Sequence, residues 1–373
     1  MKLDLYSRSL ASAAIALAFG FTAGALPAQA QSDQIQVQGD QAQLDKLRWA
    51  PPTLVNPIVL ELGDGPTDTR LDDGQDYVIK LPKTKKVGAT IIEGGRNVVI
   101  IGGYITLPAG ADQADVAHSS AIFIRNNLGT VHIEGVLIDA SARGMSDGID
   151  IESPRSTVQI ENVRVDGVYG FHNEFHAHVI KPFGGVAALR VDKLTGYSGY
   201  QGLTLDTELG RIGSADINRV NLVAIRKQVW GPGNNGGQMV WLTKDGGCGQ
   251  VYPIRFGDVY VQPRAGTPLS RAVWPMATGG VACAARSAGN ESEVSFPGLP
   301  VEGQIQRGLP EHGDFVPAGV AGVGYVTPGY RSGSSGSEEW IARVQTVWAA
   351  KTAVRTQVAT VDEPSRVQAG GSQ

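Results

Sequence analysis

The sequence predicts an all-β protein wound as a parallel β-helix. Three observations point there. Apolar residues recur two apart around a mostly polar residue, which is the period of a strand and not of a helix. That short pattern returns along the chain at intervals of about 26 to 39 residues, as stacked repeats do. Gly is abundant at 49 of 373 residues while charged residues are sparse at 18%, a composition that suits many short strands joined by turns.

One strand series reads Val99-Ile-Ile101, Val131-His-Ile133, Val158-Gln-Ile160, Leu189-Arg-Val191, Ala215-Asp-Ile217 and Ile254-Arg-Phe256. About two residues after each stands a Gly, Asn, Lys, Arg or Asp, and then a further apolar segment, as in Val136-Leu-Ile138 and Val163-Arg-Val165. A second series precedes these: Ile122-Phe-Ile124, Ile149-Asp-Ile151, Ile180-Lys-Pro182, Leu203-Thr-Leu205 and Val240-Trp-Leu242. Alternate residues of a strand face opposite sides. The flanking apolar residues therefore point inward and the middle ones outward. A β-sandwich is the rival, but it predicts hairpins and no recurring columns.

The rest of the chain divides around this repeat. Residues 1–30 read as a secretory signal, with Lys2 and Arg8 ahead of an Ala-rich apolar run and Ala28-Gln29-Ala30 as a small-x-small cleavage site. The expected location is periplasmic or secreted, with no membrane insertion after cleavage. Residues 31–50 read as a cap for the open end of the stack, with a short helix over Gln41–Trp49. Residues 51–262 hold the repeat. Residues 263–333 form its irregular C-terminal part, with late strands at Val301–Ile305 and Val320–Val326. Residues 334–373 read as a helical or disordered tail. The net charge of −4 and the lack of a basic stripe argue against nucleic acid. In an oxidising compartment Cys248 and Cys283 are expected to form one disulfide. The chain is expected to be a monomer.

Stacking the second series brings chemistry-bearing residues together. The outward column is Phe123, Asp150, Lys181, Thr204 and Trp241; two residues further on come Arg125, Glu152, Phe183, Asp206 and Thr243. Ahead of each strand stand Ser120, Asp147, His178, Gln201 and Gln238. Neighbouring turns lie about 4.8 Å apart, so Asp147 is expected beside His178 and Asp150 beside Lys181.

These repeats resemble the right-handed parallel β-helix superfamily of pectin lyases and polygalacturonases over roughly residues 75–262. Ser146-Asp147-Gly148-Ile149-Asp150 is similar to the polygalacturonase motif Asn-Thr-Asp-Gly-hydrophobic-Asp. That resemblance implies a catalytic Asp147. The family's next turn carries a pair of Asp, whereas this chain has Ala177 and His178 there. It also lacks the family's Gly-His-Gly and Arg-Ile-Lys.

What remains suits β-elimination from a uronate-containing polysaccharide. Such a reaction needs a neutralised carboxylate, a base for the adjacent proton and an acid for the leaving oxygen. His178 and Lys181 are the candidate bases. Asp147, Asp150 and Glu152 are candidate Ca²⁺ ligands, because hard oxygens suit that ion; no other cofactor is expected. Arg125, His176 and Gln201 can bind hydroxyls or acids, together with Glu152 and Asp206. Tyr197, Tyr200, Trp230 and Trp241 can stack on sugar rings. His172, His176 and His178 match no standard zinc spacing. His132 reads as a solvent-facing strand residue and His118 as an edge residue. Two alternatives stand beside the lyase. One is a glycoside hydrolase using Asp147 with Asp150 or Glu152. The other is a glycan-binding or surface protein without catalysis, in which Asp150–Lys181 is a plain ion pair.

Overall fold

Inward β-branched residues two apart make strands whose one face must be buried, and here each such strand pairs with its counterpart in the next repeat. The computed structural model describes residues 45–107, 119–141, 147–170, 176–207, 210–225, 236–242, 252–274, 286–287, 291–298, 301–332 and 339–346. Among them, 20 strands join in one largely parallel hydrogen-bonded sheet, an all-β arrangement compatible with a β-helix.

The pairings fall into three ladders. The first runs β1 (Ile58–Glu61), β3 (Tyr77–Lys80), β6 (Val98–Ile101), β9 (Thr130–Glu134) and the middle of β11 (Ile149–Val168). It continues through β12 (Ile180–Ser198), β14 (Ala215–Ala224), β16 (Ile254–Gln262) and β20 (Val301–Arg307). The second runs β2 (Thr67–Leu71), β5 (Thr90–Gly94), β8 (Ile122–Arg125), the starts of β11 and β12, β13 (Leu203–Thr204), β15 (Val240–Trp241) and β17 (Val273–Trp274). The third begins with β4 (Lys85–Val87), β7 (Tyr104–Thr106) and β10 (Leu137–Asp139) and continues in the later parts of β11, β12, β14 and β16. Inward residues of all three merge into one core that includes Ile122, Ile124, Ile149, Ile151, Val158 and Ile160, each fully buried. Burying each such side chain contributes roughly 1.5–3 kcal/mol.

The polar residue that follows each first-ladder strand has a backbone role. Gly102, Gly135, Asn162, Lys193 and Arg219 all have positive φ, between 45° and 70°. They form the bend into the third ladder. Asn tolerates this left-handed conformation and Gly adopts it freely.

Four expectations need correction. The inward pair of β6 is Val98 and Ile100, not Val99 and Ile101: Ile100 pairs with Ile133, and Ile101 is 44% exposed. The run Val98-Val-Ile-Ile101 is apolar throughout, so alternation cannot choose its face, and a one-residue slip reverses it. Regular pairing passes residue 262, since β16 pairs with β20 and β15 with β17. Residues 320–326 form turns and not a strand, with Val326 82% exposed. Finally, residues 46–49 are not helical: Leu47 makes a parallel bridge to Tyr330.

The last of these belongs to a larger feature. β19 (Glu293–Gly298) pairs antiparallel with β20, and β18 (Arg286–Ser287) with β19. The chain then runs back over the outside as a strap. Asp314 meets Arg164, Tyr197 and Asn221 at 2.8–2.9 Å. Gly322 donates to Gly135 O. Tyr325 and Tyr330 donate to Glu134. A Cβ on Gly135 would lie 2.1 Å from the Tyr325 ring, at a φ of +66°. Gly135→Ala is therefore expected to lift the strap and destabilise the protein by about 2 kcal/mol or more. Chemical denaturation checks this, and an unchanged midpoint would contradict the packing. The helix at residues 339–346 lies where one was expected, and Trp340 is buried against Arg255. No helix among the described residues is long and apolar enough to cross a membrane.

Candidate functional site

Asp147 and His178 stand just before the second-ladder strands, and Asp150 and Lys181 one residue inside them. Gly148 lets the two turns nest, because a Cβ there would meet Val179 O at 2.5 Å and Val165 Cγ1 at 2.9 Å. The Asp-Gly pair thus serves close backbone approach between turns. Asp150 pairs with Lys181 on one side and Phe123 on the other, and Thr204 pairs with Trp241. This is the column expected from the alternation. The next row departs from it: Glu152 pairs with Gly185 across a register shift. The bulge turns Phe183 outward to 40% exposure, as extra residues in a strand do.

The four central side chains form one network. Asp147 Oδ1 accepts from His178 N and lies 2.8 Å from His178 Nδ1. Asp147 Oδ2 accepts from Lys181 Nζ at 2.7 Å. Asp150 Oδ1 accepts the Ile151 N–H at 2.8 Å. Asp150 Oδ2 lies 3.1 Å from Lys181 Nζ, an ion-pair contact poorly aligned for a hydrogen bond. Exposure is 0% for both aspartates, 4% for His178 and 5% for Lys181.

Burial and charge divide the protonation states. Burial pushes Asp147 up, but the charge of Lys181 and the hydrogen bonds from His178 and Lys181 outweigh it, so its carboxyl sits below the usual range. Burial raises Asp150 to about 7, against the pull of Lys181 and with the push of Asp147. Burial lowers His178 despite Asp147, which favours a neutral imidazole. Burial would lower Lys181, but Asp147 and Asp150 together raise it. An ammonium held this firmly is a poor base, so of the two candidate bases only His178 fits. With Nδ1 engaged by Asp147, its basic nitrogen is Nε2, and Gln201 adds a hydrogen bond to the ring.

The donor set does not fit Ca²⁺. Asp147 is engaged at both oxygens, Asp150 contacts the same ammonium, and Glu152 pairs with Arg125 at 3.3 Å. A Ca²⁺ ion needs several free oxygens at about 2.3–2.6 Å. Nor do Asp147 and Asp150 suit an inverting hydrolase. Both contact one ammonium, which holds their nearest oxygens closer than the roughly 6.5–9.5 Å that leaves room for a water.

The flanks are partly as expected. Arg125 stacks over Phe123. His176 is exposed and stacks on Tyr200, with ring centroids 4.9 Å apart. Tyr200 is only 3% exposed, so it supports the histidines and offers no face to a sugar. Tyr197 is taken by the strap through Asp314 and Arg164 and does not belong to this site. Gln201 is buried near Thr204, and Asp206 is half-buried. Trp241 packs against Trp274 at a tilt of 31°, with centroids 5.6 Å apart. Trp274 was not legible in the sequence, because β17 continues the column in a two-residue strand after a long insertion. His118, Ser146, His172, Glu174, Trp230, Cys248 and Cys283, like the signal at residues 1–30, lie outside the described residues.

Sequence reasoning also missed a second buried polar cluster, on the outer face of the first ladder. His132 and Glu134 are fully buried, not solvent-facing. Glu161 and Asp192 continue their column. Asp192 accepts from Arg219 Nε at 2.7 Å, and Asp216 pairs with Arg48 and Arg255. The alternation announced the polar residues, but nothing local announced what covers them. No protein-family model matches the chain, and neither does any curated protein or solved structure compared with it.

Proposed function

We propose that the protein is a right-handed parallel β-helix of the pectin lyase-like kind, exported from the cytoplasm, that cleaves a uronate-containing polysaccharide by β-elimination. The right hand follows from the near-universal handedness of parallel crossovers. Export rests on the N-terminal pattern alone. The observation that carries the reaction is a neutral imidazole, a locked ammonium and a carboxyl of pKa about 7 in one network. The tryptophan pair Trp241–Trp274 lies further along the same column.

In this reading His178 Nε2 takes the C5 proton and Asp147 holds the ring. Lys181 offsets the charge that develops on the uronate. The C5–H electrons form the C4–C5 double bond as the C4–O4 bond breaks. Protonated Asp150 delivers its proton to O4. The rate is expected to follow a bell. Its acid limb lies below the ordinary imidazole value of about 6.5, since His178 must be neutral, and its alkaline limb lies near 7, since Asp150 must be protonated. These limbs belong to the coupled network as a whole.

The test is absorbance of the conjugated unsaturated uronate during incubation with a panel of acidic polysaccharides. His178→Gln should reduce its formation by about 10²-fold or more while leaving the circular dichroism unchanged. Burial of all four side chains favours a second reading, a glycan-binding protein whose network is structural. If the intact protein yields no unsaturated product on any uronate yet is retarded by one in affinity electrophoresis, that second reading replaces the lyase.

A further inference from the structure

The buried cluster on the first ladder holds an electrostatic problem. Glu134 and Glu161 stand directly opposite each other in adjacent strands, an arrangement that destabilises a sheet when both are charged. Both are fully buried. His132 Nε2 forms an ion pair with Glu134, and Arg331 interacts with Glu161 electrostatically. The neighbouring Asp192, by contrast, has Arg219.

The hydrogen bonds leave a donor set open. Glu161 Oε1 accepts the backbone N–H groups of Arg48 and Trp49 at 3.0 and 2.9 Å. Glu161 Oε2 is buried with no hydrogen-bond partner, a situation that costs about 1–3 kcal/mol or more when nothing satisfies the group. His132 Nε2 lies 3.0 Å from Glu134 Oε2. One ligand atom from each of His132, Glu134 and Glu161 lies within 4.8 Å of the other two. Metal–ligand bonds of about 2.0–2.2 Å place tetrahedral ligand atoms about 3.4 Å apart, so the three side chains would close in by up to about 1.4 Å around the ion.

We propose that His132, Glu134 and Glu161 bind a structural first-row divalent cation of the Zn²⁺ type. One imidazole and two carboxylates neutralise a 2+ ion and suit the softness of that metal class. The surrounding groups orient the ligands. Tyr325 and Tyr330 donate to Glu134 at 2.8 and 2.7 Å. The Gln159 amide lies 2.9 Å from His132 Nδ1, and it satisfies the ring, Ala50 O and Arg190 Nη1 together only with its nitrogen toward the ring. With its nitrogen toward the ring, Nε2 carries the proton and donates to Glu134. Metal binding would turn this amide over, so that Nδ1 carries the proton toward the Gln159 oxygen and Nε2 is freed for the ion. Such partners outside the ligand set commonly fix the tautomer of a metal-binding His.

The ion would join three distant parts of the chain: the ladder itself, the segment at 46–49 through Glu161, and the strap at 325–330 through Glu134. It would enter as those segments close, so its binding would contribute to folding. This site is separate from the Asp147–His178 network and does not rest on the lyase reading.

The test uses the full-length protein and Zn²⁺ itself. Elemental analysis of the purified protein should find about one equivalent of a first-row metal. Chelation should lower Tm by about 5 °C or more, and added Zn²⁺ should restore it. Glu161→Gln and His132→Gln should each lose both the bound metal and the Zn²⁺-dependent rise in Tm. The proposal is overturned if the intact protein carries no metal and its Tm ignores Zn²⁺. It is equally overturned if both variants keep the metal, which would place the ion elsewhere, for instance among the histidines near residue 176.

Discussion

Asp147→Ala is expected to destabilise the protein by about 3–5 kcal/mol, because it strips the counter-charge from a buried ammonium. Asp147 holds three donors: His178 N, His178 Nδ1 and Lys181 Nζ. None is compensated by water, since Asp147 is fully buried and His178 and Lys181 nearly so. Asp150 would then be the remaining partner of Lys181 and would ionise more readily to serve it. Adding Lys181→Met to the Asp147→Ala chain should recover more than half of the loss, as removing both partners of a buried pair leaves no orphaned charge. Urea unfolding of the two variants measures this. A loss below about 1 kcal/mol in the single variant would mean that the network is solvated and the pair worth only what a surface ion pair is. The pH dependence has two opposed parts. Asp147, depressed in the folded state, stabilises above its unfolded value and loses that contribution as pH falls. Asp150, raised to about 7, stabilises fully only below its unfolded value near 4, and that contribution is lost as pH rises through 7. The Asp150→Asn chain should therefore lose the decline in stability between about pH 4 and pH 7 while keeping the acid-side loss.

Asp192→Ala should be comparably severe, at about 3–5 kcal/mol, and should release the N-terminal segment. Asp192 Oδ1 accepts from Asn218 Nδ2 at 2.9 Å and Arg219 Nε at 2.7 Å. Asp192 Oδ2 accepts from Arg219 Nη2 and from Arg48 N, the latter at 3.0 Å. Arg219 also holds Lys46 O. One carboxylate thus ties an arginine in the left-handed bend after its strand to a segment more than 140 residues earlier. Without it, Lys46 and Arg48 should become early tryptic sites, since cleavage follows local opening. Proteolysis at the intact protein's rate would show that Leu47, through its bridge to Tyr330, holds the segment by itself.

Much of the scaffold was readable from local pattern. The second series aligned residue for residue across Phe123, Asp150 and Lys181, because β-branched residues two apart leave one choice of inward face. Where that contrast failed, as in Val98–Ile101, the reading slipped by one residue. Where two extra residues entered after Lys181, the Glu152–Phe183 alignment broke. Asp147 beside His178 was legible for the same reason as Asp150 beside Lys181: parallel strands in register repeat their neighbours. Their burial was not, and burial is what makes Lys181 a counter-ion rather than a base.

The sequence by itself determined most of the strands, their inward faces wherever apolar and polar residues alternate, and the polar columns on the outside, since these follow from a two-residue period and from residues that accept a left-handed bend. The tertiary structure alone decided which outward columns leave water. His132, Glu134, Glu161 and Asp192 are covered by residues 46–49 and by the strap at 314–331, through contacts such as Trp49 to Glu161, 112 residues apart, and Tyr330 to Glu134, 196 residues apart. Irregular segments of this kind carry no periodicity, and their hydrogen bonds are made to partners that only the finished stack assembles.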